Sequence, residues 1–238
     1  MAIGVLTDAK VFLGGKDLSG DANAVASDYT VEIKDTTTLD QTFTTNAAGT
    51  KTFKANVEGY VNTATSDLAL FNGVGVAGEI ASIVIPPGTV GEIAFFAPIL
   101  QSSLSTTKAT GEVHNFSVSL DANGKATRGV LADHGTEVAT GDGTGYQLGA
   151  VGATGSLMVA IHMFAIDQGT VTFDIESDDN SGFTTASAVA GTSAVTAVGS
   201  STISYTGAIT DDYFRVNWTF SGGATSATFA VVIGIFTP

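Results

Sequence analysis

The stretch DIESDDNSGF carries the densest set of potential ligands in the chain: Asp174, Glu176 and Asp178, followed by Asp179 and Asn180. Alternate carboxylates ahead of an Asn and a Gly suggest a calcium loop, because hard cations take oxygen ligands. The calcium-hand pattern needs Gly in sixth place and Glu in twelfth. Counted from Asp174, those places hold Asp179 and Thr185. Asp174 and Glu176 also fall on the charged side of an alternating strand, so these three carboxylates are a weak metal candidate and a solvated turn is the simpler reading.

Other chemistry-bearing patterns fail on context. GVGVAG at Gly73 to Gly78 has the glycine spacing of a dinucleotide site, but such a site needs a strand before it and a helix after. Here a helix precedes and a strand follows, which makes it a helix-ending linker. GDGTGYQLG at Gly141 to Gly149 lacks the lysine of a phosphate loop and reads as an interdomain link. His114, His134 and His162 are too dispersed for a shared metal. His162 interrupts an apolar run and His114 shares a face with Phe116 and Val118, as packed, hydrogen-bonded histidines do. There is no G-x-S-x-G elbow, and the single Trp218 takes an inward strand position rather than offering a sugar platform. The residues point away from an enzyme and imply no cofactor.

Composition narrows the class further. The 238 residues include no cysteine, 29 glycines and only 13% charged residues, and abundant Thr, Ser and Val favour strands and turns over helices. A net charge of −14 disfavours gripping nucleic acid by phosphate neutralisation, while leaving open a surface that DNA passes without sticking. Eight of the nine basic residues lie at or before Arg128, so the remainder is almost wholly acidic. MAIGVLTDAK lacks the pattern of a signal peptide, and the apolar runs near Leu157 to Ile166 and Ala227 to Phe236 are too short for a membrane helix. Synthesis in the cytosol is expected.

The elements follow from periodicity. Tyr29, Val31 and Ile33 alternate with Thr30, Glu32 and Lys34, which predicts a half-buried strand. Phe53, Ala55 and Val57 alternate with Lys54, Asn56 and Glu58 in a second strand. Between them Asp35 to Lys51 reads as a loop of about 17 residues, longer than a structureless loop in a compact domain should be. A short helix is predicted over TSDLALFNG, with Ser66 or Thr65 as cap, Leu68, Leu70 and Phe71 as its apolar side, and Gly73 at its end. Strands at EIASIVIPPG, GEIAFFAPILQSS and GEVHNFSVSLD follow. The pattern then collapses between Leu131 and Leu148, where a domain boundary is placed. Beyond it, Leu157 to Ile166, Val171 to Glu176, Tyr213 to Phe220 and Phe229 to Ile233 read as strands of a β-sandwich. The fold class is all-β with one short helix.

This order of elements resembles the tail tube (major tail) proteins of long-tailed bacteriophages: a strand ending in KDTTTLDQTF, a long loop, KTFKANVEGY, the helix TSDLALFNG, and strands through SLDANG. DQGTVTFDIESDDNSGF and ITDDYFRVNWTFSGGATSATFAVVIG also look like a region common in such phage proteins. The resemblance implies a tail-tube-type β-barrel or sandwich domain at residues 1–138 that oligomerises. The C-terminal β-sandwich at residues 139–238 departs from a minimal tube protein, which lacks it, and is expected either to decorate the outside or to form part of a larger ring fold. It implies stacked, usually hexameric rings in a virion tail, conducting DNA without specific binding, with itself, a tape-measure protein and other tail proteins as partners and no membrane. Glu32, Lys34, Asn56 and Glu58 become candidates for the channel face. Asp35, Leu39, Asp40, Phe43, Asn46 and Lys51 become candidates for a loop reaching the next ring. A carbohydrate-binding or adhesive module and a capsid decoration protein are the alternatives.

Overall fold

The computed structural model describes residues 8–40, 42–63, 66–191 and 194–238. Strands β1 (Lys10–Leu13), β2 (Lys16–Asp17), β3 (Ala22–Asp35) and β4 (Asn46–Tyr60) precede the helix α1 (Asp67–Gly73). Then come β5 (Ala77–Val84), β6 (Ile93–Thr107), β7 (Asn115–Ala122) and β8 (Thr127–Glu137), with the short β9 (Gly141–Asp142) and β10 (Tyr146–Gln147). The chain ends in β11 (Ser156–Ile166), β12 (Thr170–Asp178), β13 (Ser187–Gly191), β14 (Gly199–Thr206), β15 (Tyr213–Ser221) and β16 (Ala227–Phe236).

These strands form an 11-stranded sheet and a 5-stranded sheet. Every paired strand is antiparallel, and the large sheet folds back over itself in layers. Three apolar clusters lie between the layers. One joins Phe53, Ala55 and Val57 of β4 to β7, β1, β5 and β6. A second packs the opposite faces of β1, β5 and β6, through Phe12, Ile80 and Phe96, on Met158, Ala160 and Val232. A third packs Leu157, Val159, Phe229 and Val231 on Phe173, Val216 and Trp218 of the small sheet. β11 and β16 are therefore covered on both faces, which is why their sequences are continuous apolar runs rather than alternating ones.

The sheet does not close on itself, so the barrel alternative gives way to a layered sandwich. The 138/139 position falls just after β8, and β8 pairs with β16 along Gly129 to Glu137, so the large sheet runs through both parts of the chain. The predicted collapse after Leu131 is corrected here: residues through Glu137 are strand. His134 and Thr136 are tolerated there because His134 stacks on Phe12 and contacts Asp17, while Thr136 shares a hydroxyl hydrogen bond with Thr228. β13 and β14 gave no usable periodicity in the sequence.

His162 ties the two halves together. It is fully buried in β11, its Nδ1 donates to the Gly14 carbonyl at 2.8 Å, and its Nε2 accepts from Ser82 Oγ at 2.8 Å. A carbonyl can only accept, which fixes the proton on Nδ1. Burial lowers the ring's pKa to about 4, so it stays neutral near pH 7.

Candidate assembly surface

The channel candidates sit on a four-stranded part of the large sheet, in the order β3, β4, β7, β6. Register partners in an antiparallel pair share a face. Asn56 lies opposite Ala26 on one side and Ser119 on the other, while Glu58 lies opposite Ala24 and Ser117. Glu32 and Lys34 follow at period two along β3, so all four candidates share one polar face.

That face is cross-linked by side chains. Ser117 Oγ and Ser119 Oγ donate to Asn56 Oδ1 at 3.2 and 3.4 Å, and Asn56 Nδ2 donates to Glu58 Oε1 at 3.2 Å. Lys54 pairs with Asp121 on the neighbouring strand at 2.9 Å, and Lys34 with Glu32 on its own strand at 3.6 Å. Exposed pairs such as these add about 0–1 kcal/mol each, so they tune the surface more than they hold it. The charged groups on this face, Asp28, Glu32, Glu58 and Asp121 against Lys34 and Lys54, leave it net acidic.

The opposite face departs from expectation. Phe53, Ala55 and Val57 are buried as their alternation predicted, whereas Tyr29, Val31 and Ile33 are exposed. The reason is length. β7 pairs with β4 only from Lys54 to Tyr60, so the rest of β3 and β4 projects as a two-stranded ribbon of roughly 20 Å beyond the layered core. A lone two-stranded ribbon is marginally stable in water.

The predicted 17-residue loop is corrected as well. β3 and β4 stay paired through Asp35 opposite Asn46, and Lys51 lies within β4 opposite Val31. Only 36–45 connect them, and Gln41 lies outside the described residues. Even this tip is stitched: Thr36 N donates to the Thr45 carbonyl at 2.8 Å, and Thr37 N and Oγ1 donate to Asp35 Oδ1 at 2.8 and 2.5 Å. Those bonds hold the Asp35 carboxyl below its usual pKa, as the Thr38 hydroxyl does for Asp40. Leu39 and Phe43 are exposed at the tip. Asp35, Asn46 and Lys51 therefore stand on the ribbon, and Leu39, Asp40 and Phe43 on its end.

Sequence reasoning missed the free edges. Among the described residues β3 pairs on one side only, with β4. β6 pairs with β5 as far as Leu100 and meets Val74 at Gln101, but among the described residues no strand pairs with that side of Ser102 to Thr107. The four strands thus end in an unpaired edge at each side. A Ser- and Thr-rich tail on an apolar strand, QSSLSTT after Leu100, was the available signal.

The carboxylates of the metal candidate are not brought together. Glu176 receives Arg215 Nε and Nη2, both at 2.7 Å, while Asp178 closes a turn by accepting from Thr185 N at 2.8 Å and Asn180 Nδ2 at 2.8 Å. Asp174 lies two residues before Glu176 along β12, between Gly191 and Asn217 of the flanking strands, with its Oδ1 against Gly191. Among the described residues no three His, Cys, Asp or Glu side chains form a metal-sized group. Trp218 is buried and donates to the Ala139 carbonyl at 2.9 Å. No described helix is long and apolar enough to cross a membrane.

No protein-family model matches the chain, and no curated protein does. Solved structures do resemble it. A chain of the virion of a native gene transfer agent particle aligns at TM-score 0.42 and 14% identity, over 53% of this chain and 98% of its own. A sheath/tube terminator structure of an extracellular contractile injection system aligns at 0.45 and 11%, over 54% and 97%. The Dit protein of phage SPP1, a hub of the adsorption apparatus, aligns at 0.37 and 11%, over 96% and 99%.

Proposed function

We propose that the chain is a non-enzymatic structural subunit of a phage tail tube, which assembles by joining the free β3 edge of one copy to the free Ser102–Thr107 edge of the next. The observation that carries this is the four-stranded sheet left open at both sides, with a ribbon projecting beyond it. Strand direction favours the join. β6 runs opposite to β3, so a neighbour's β3 in the same orientation continues the antiparallel alternation without a break. Joining two different edges is a head-to-tail contact, which closes into a ring when the rotation permits. Closure also removes edges that otherwise invite aggregation.

In this reading residues 1–138 build the wall, usually six copies per ring, and residues 139–238 lie outside. The polar face with Glu32, Lys34, Asn56 and Glu58 lines the channel, and its acidic excess lets DNA pass without being held. The ribbon and its tip, Asp35, Leu39, Asp40, Phe43, Asn46 and Lys51, reach the next ring. Tape-measure and other tail proteins are the further partners, and the virion tail is the location. An adhesive module has less support, because the single tryptophan is internal. Electron microscopy of the purified, concentrated protein tests the proposal. Rings or open tubes support it, and persistent monomers that bind glycans overturn it.

A further inference from the structure

Resting on that edge-to-edge reading, we infer that a second apolar surface, Leu68 and Phe71 of α1 with Val74 and Val76 after it, is the seat for the neighbouring copy's Tyr29 and Val31. The sequence assigned Leu68 and Phe71 to the packed side of the helix. Of the three apolar side chains Leu68, Leu70 and Phe71 the structure buries Leu70 alone, and it leaves Phe71 70% and Val74 43% exposed. α1 is anchored at the base of the free edge. Gln101 Nε2 donates to the Leu70 carbonyl at 2.7 Å, Gly75 N donates to the Gln101 carbonyl at 2.9 Å, and Val74 bridges Gln101 where β5 leaves off.

Three relationships select the occupant. Gln101 pairs with Leu120, Leu120 with Ala55 and Ala55 with Ser27, so Val74 lies level with Ser27 along the strands. A copy of β3 added beside Ser102–Thr107 without a shift pairs only as far as Ser27, because Val74 fills the slot beside Gln101 and β5 the slots after it; the added strand must lift out of the sheet there, which carries Tyr29 over Val74. The face also agrees. Gln101 and Leu120 point to the core side of the sheet, where α1 packs, and Tyr29 and Val31 share that side through their register with Phe53 and Lys51. Lastly, each copy carries both apolar sets, exposed and each beside one of the two open edges. One contact covers both, which leaving either in water would not.

The absence of cysteine makes the test clean. Tyr29→Cys and Val74→Cys are combined in one chain, assembled, and treated with a short bis-maleimide; a second chain carries Ala26→Cys and Ser103→Cys to report on the edges. The expected result is a ladder of covalent multimers beyond the dimer for both chains on a denaturing gel, and none for any single variant. A ladder from the edge pair alone overturns this inference and leaves the edge-joined ring standing. Thiols at Val74 that stay reactive in assembled tubes, or that cross-link to a different tail protein, overturn it too. Failure of the unsubstituted protein to assemble overturns both readings.

Discussion

Tyr29 and Phe53 face each other across β3 and β4, yet Phe53 is 5% exposed and Tyr29 57%. One side chain is covered by its own chain and its partner is not. Truncating Phe53 to Ala should therefore cost the monomer about 3–5 kcal/mol in urea unfolding, as for other buried aromatics. Tyr29→Ser should stay within about 1 kcal/mol, as surface changes do. Assembly, followed by sedimentation, should show the reverse weighting for Tyr29: a near-intact fold and a large loss of rings.

The hairpin tip gives a separable test. Replacing 37–44 by Asn-Gly joins Thr36 to Thr45 through a two-residue turn suited to antiparallel strands. The circular dichroism spectrum should be unchanged and single rings should persist, while long tubes disappear. Long tubes formed by this variant would show that the tip is not the contact between rings.

The neutral, buried His162 sets an acid limit. An unfolded histidine titrates near 6.5, and the folded ring titrates near 4 because burial disfavours the charged form. The unfolded state therefore binds the extra proton first. Stability is full above pH 6.5 and falls as pH drops from 6.5 to 4, by about 3 kcal/mol at most. Urea midpoints measured across that range should show the fall in the native chain. In His162→Gln the slope should flatten, on a lower starting stability.

Asp133 works with the opposite sign. Burial, then the charge of Glu137, raises its carboxyl to about 6. The charged form is disfavoured in the fold, so this side chain destabilises the protein above pH 6, and the penalty fades as pH falls from 6 towards 4. Asp133→Asn should raise the stability at pH 8 by on the order of 1 kcal/mol, allowing for solvent screening, seen as a higher melting temperature, and do little at pH 4.

Much of the fold was legible because burial leaves a period. The double-sided burial of β11 and β16 showed as unbroken apolar runs, and Phe214, Val216 and Trp218 of β15 showed as alternation. The same signal misled at Tyr29, Val31 and Ile33. Alternation reports that a face requires cover, and it does not say whether the cover comes from the same chain. Leu68 and Phe71, read as the packed side of α1, are exposed as well. The supposed loop hid its strand because Asn46 to Lys51 is built of small and polar residues, held by backbone pairing rather than by packing. The free edge of β6 is a matter of where β5 stops, which no local pattern records.

Hydrogen exchange tests the edge join most directly, because a backbone pairing protects the amides that make it. Exchange is compared between dissociated and assembled protein, resolved along β3 and β6. The expected result is new protection in two places together, the outer edge of β3 over Ala22–Ser27 and the free edge Ser102–Thr107, with the core strands β11 and β16 unchanged. Assemblies in which both edges exchange as fast as in the monomer would contradict it.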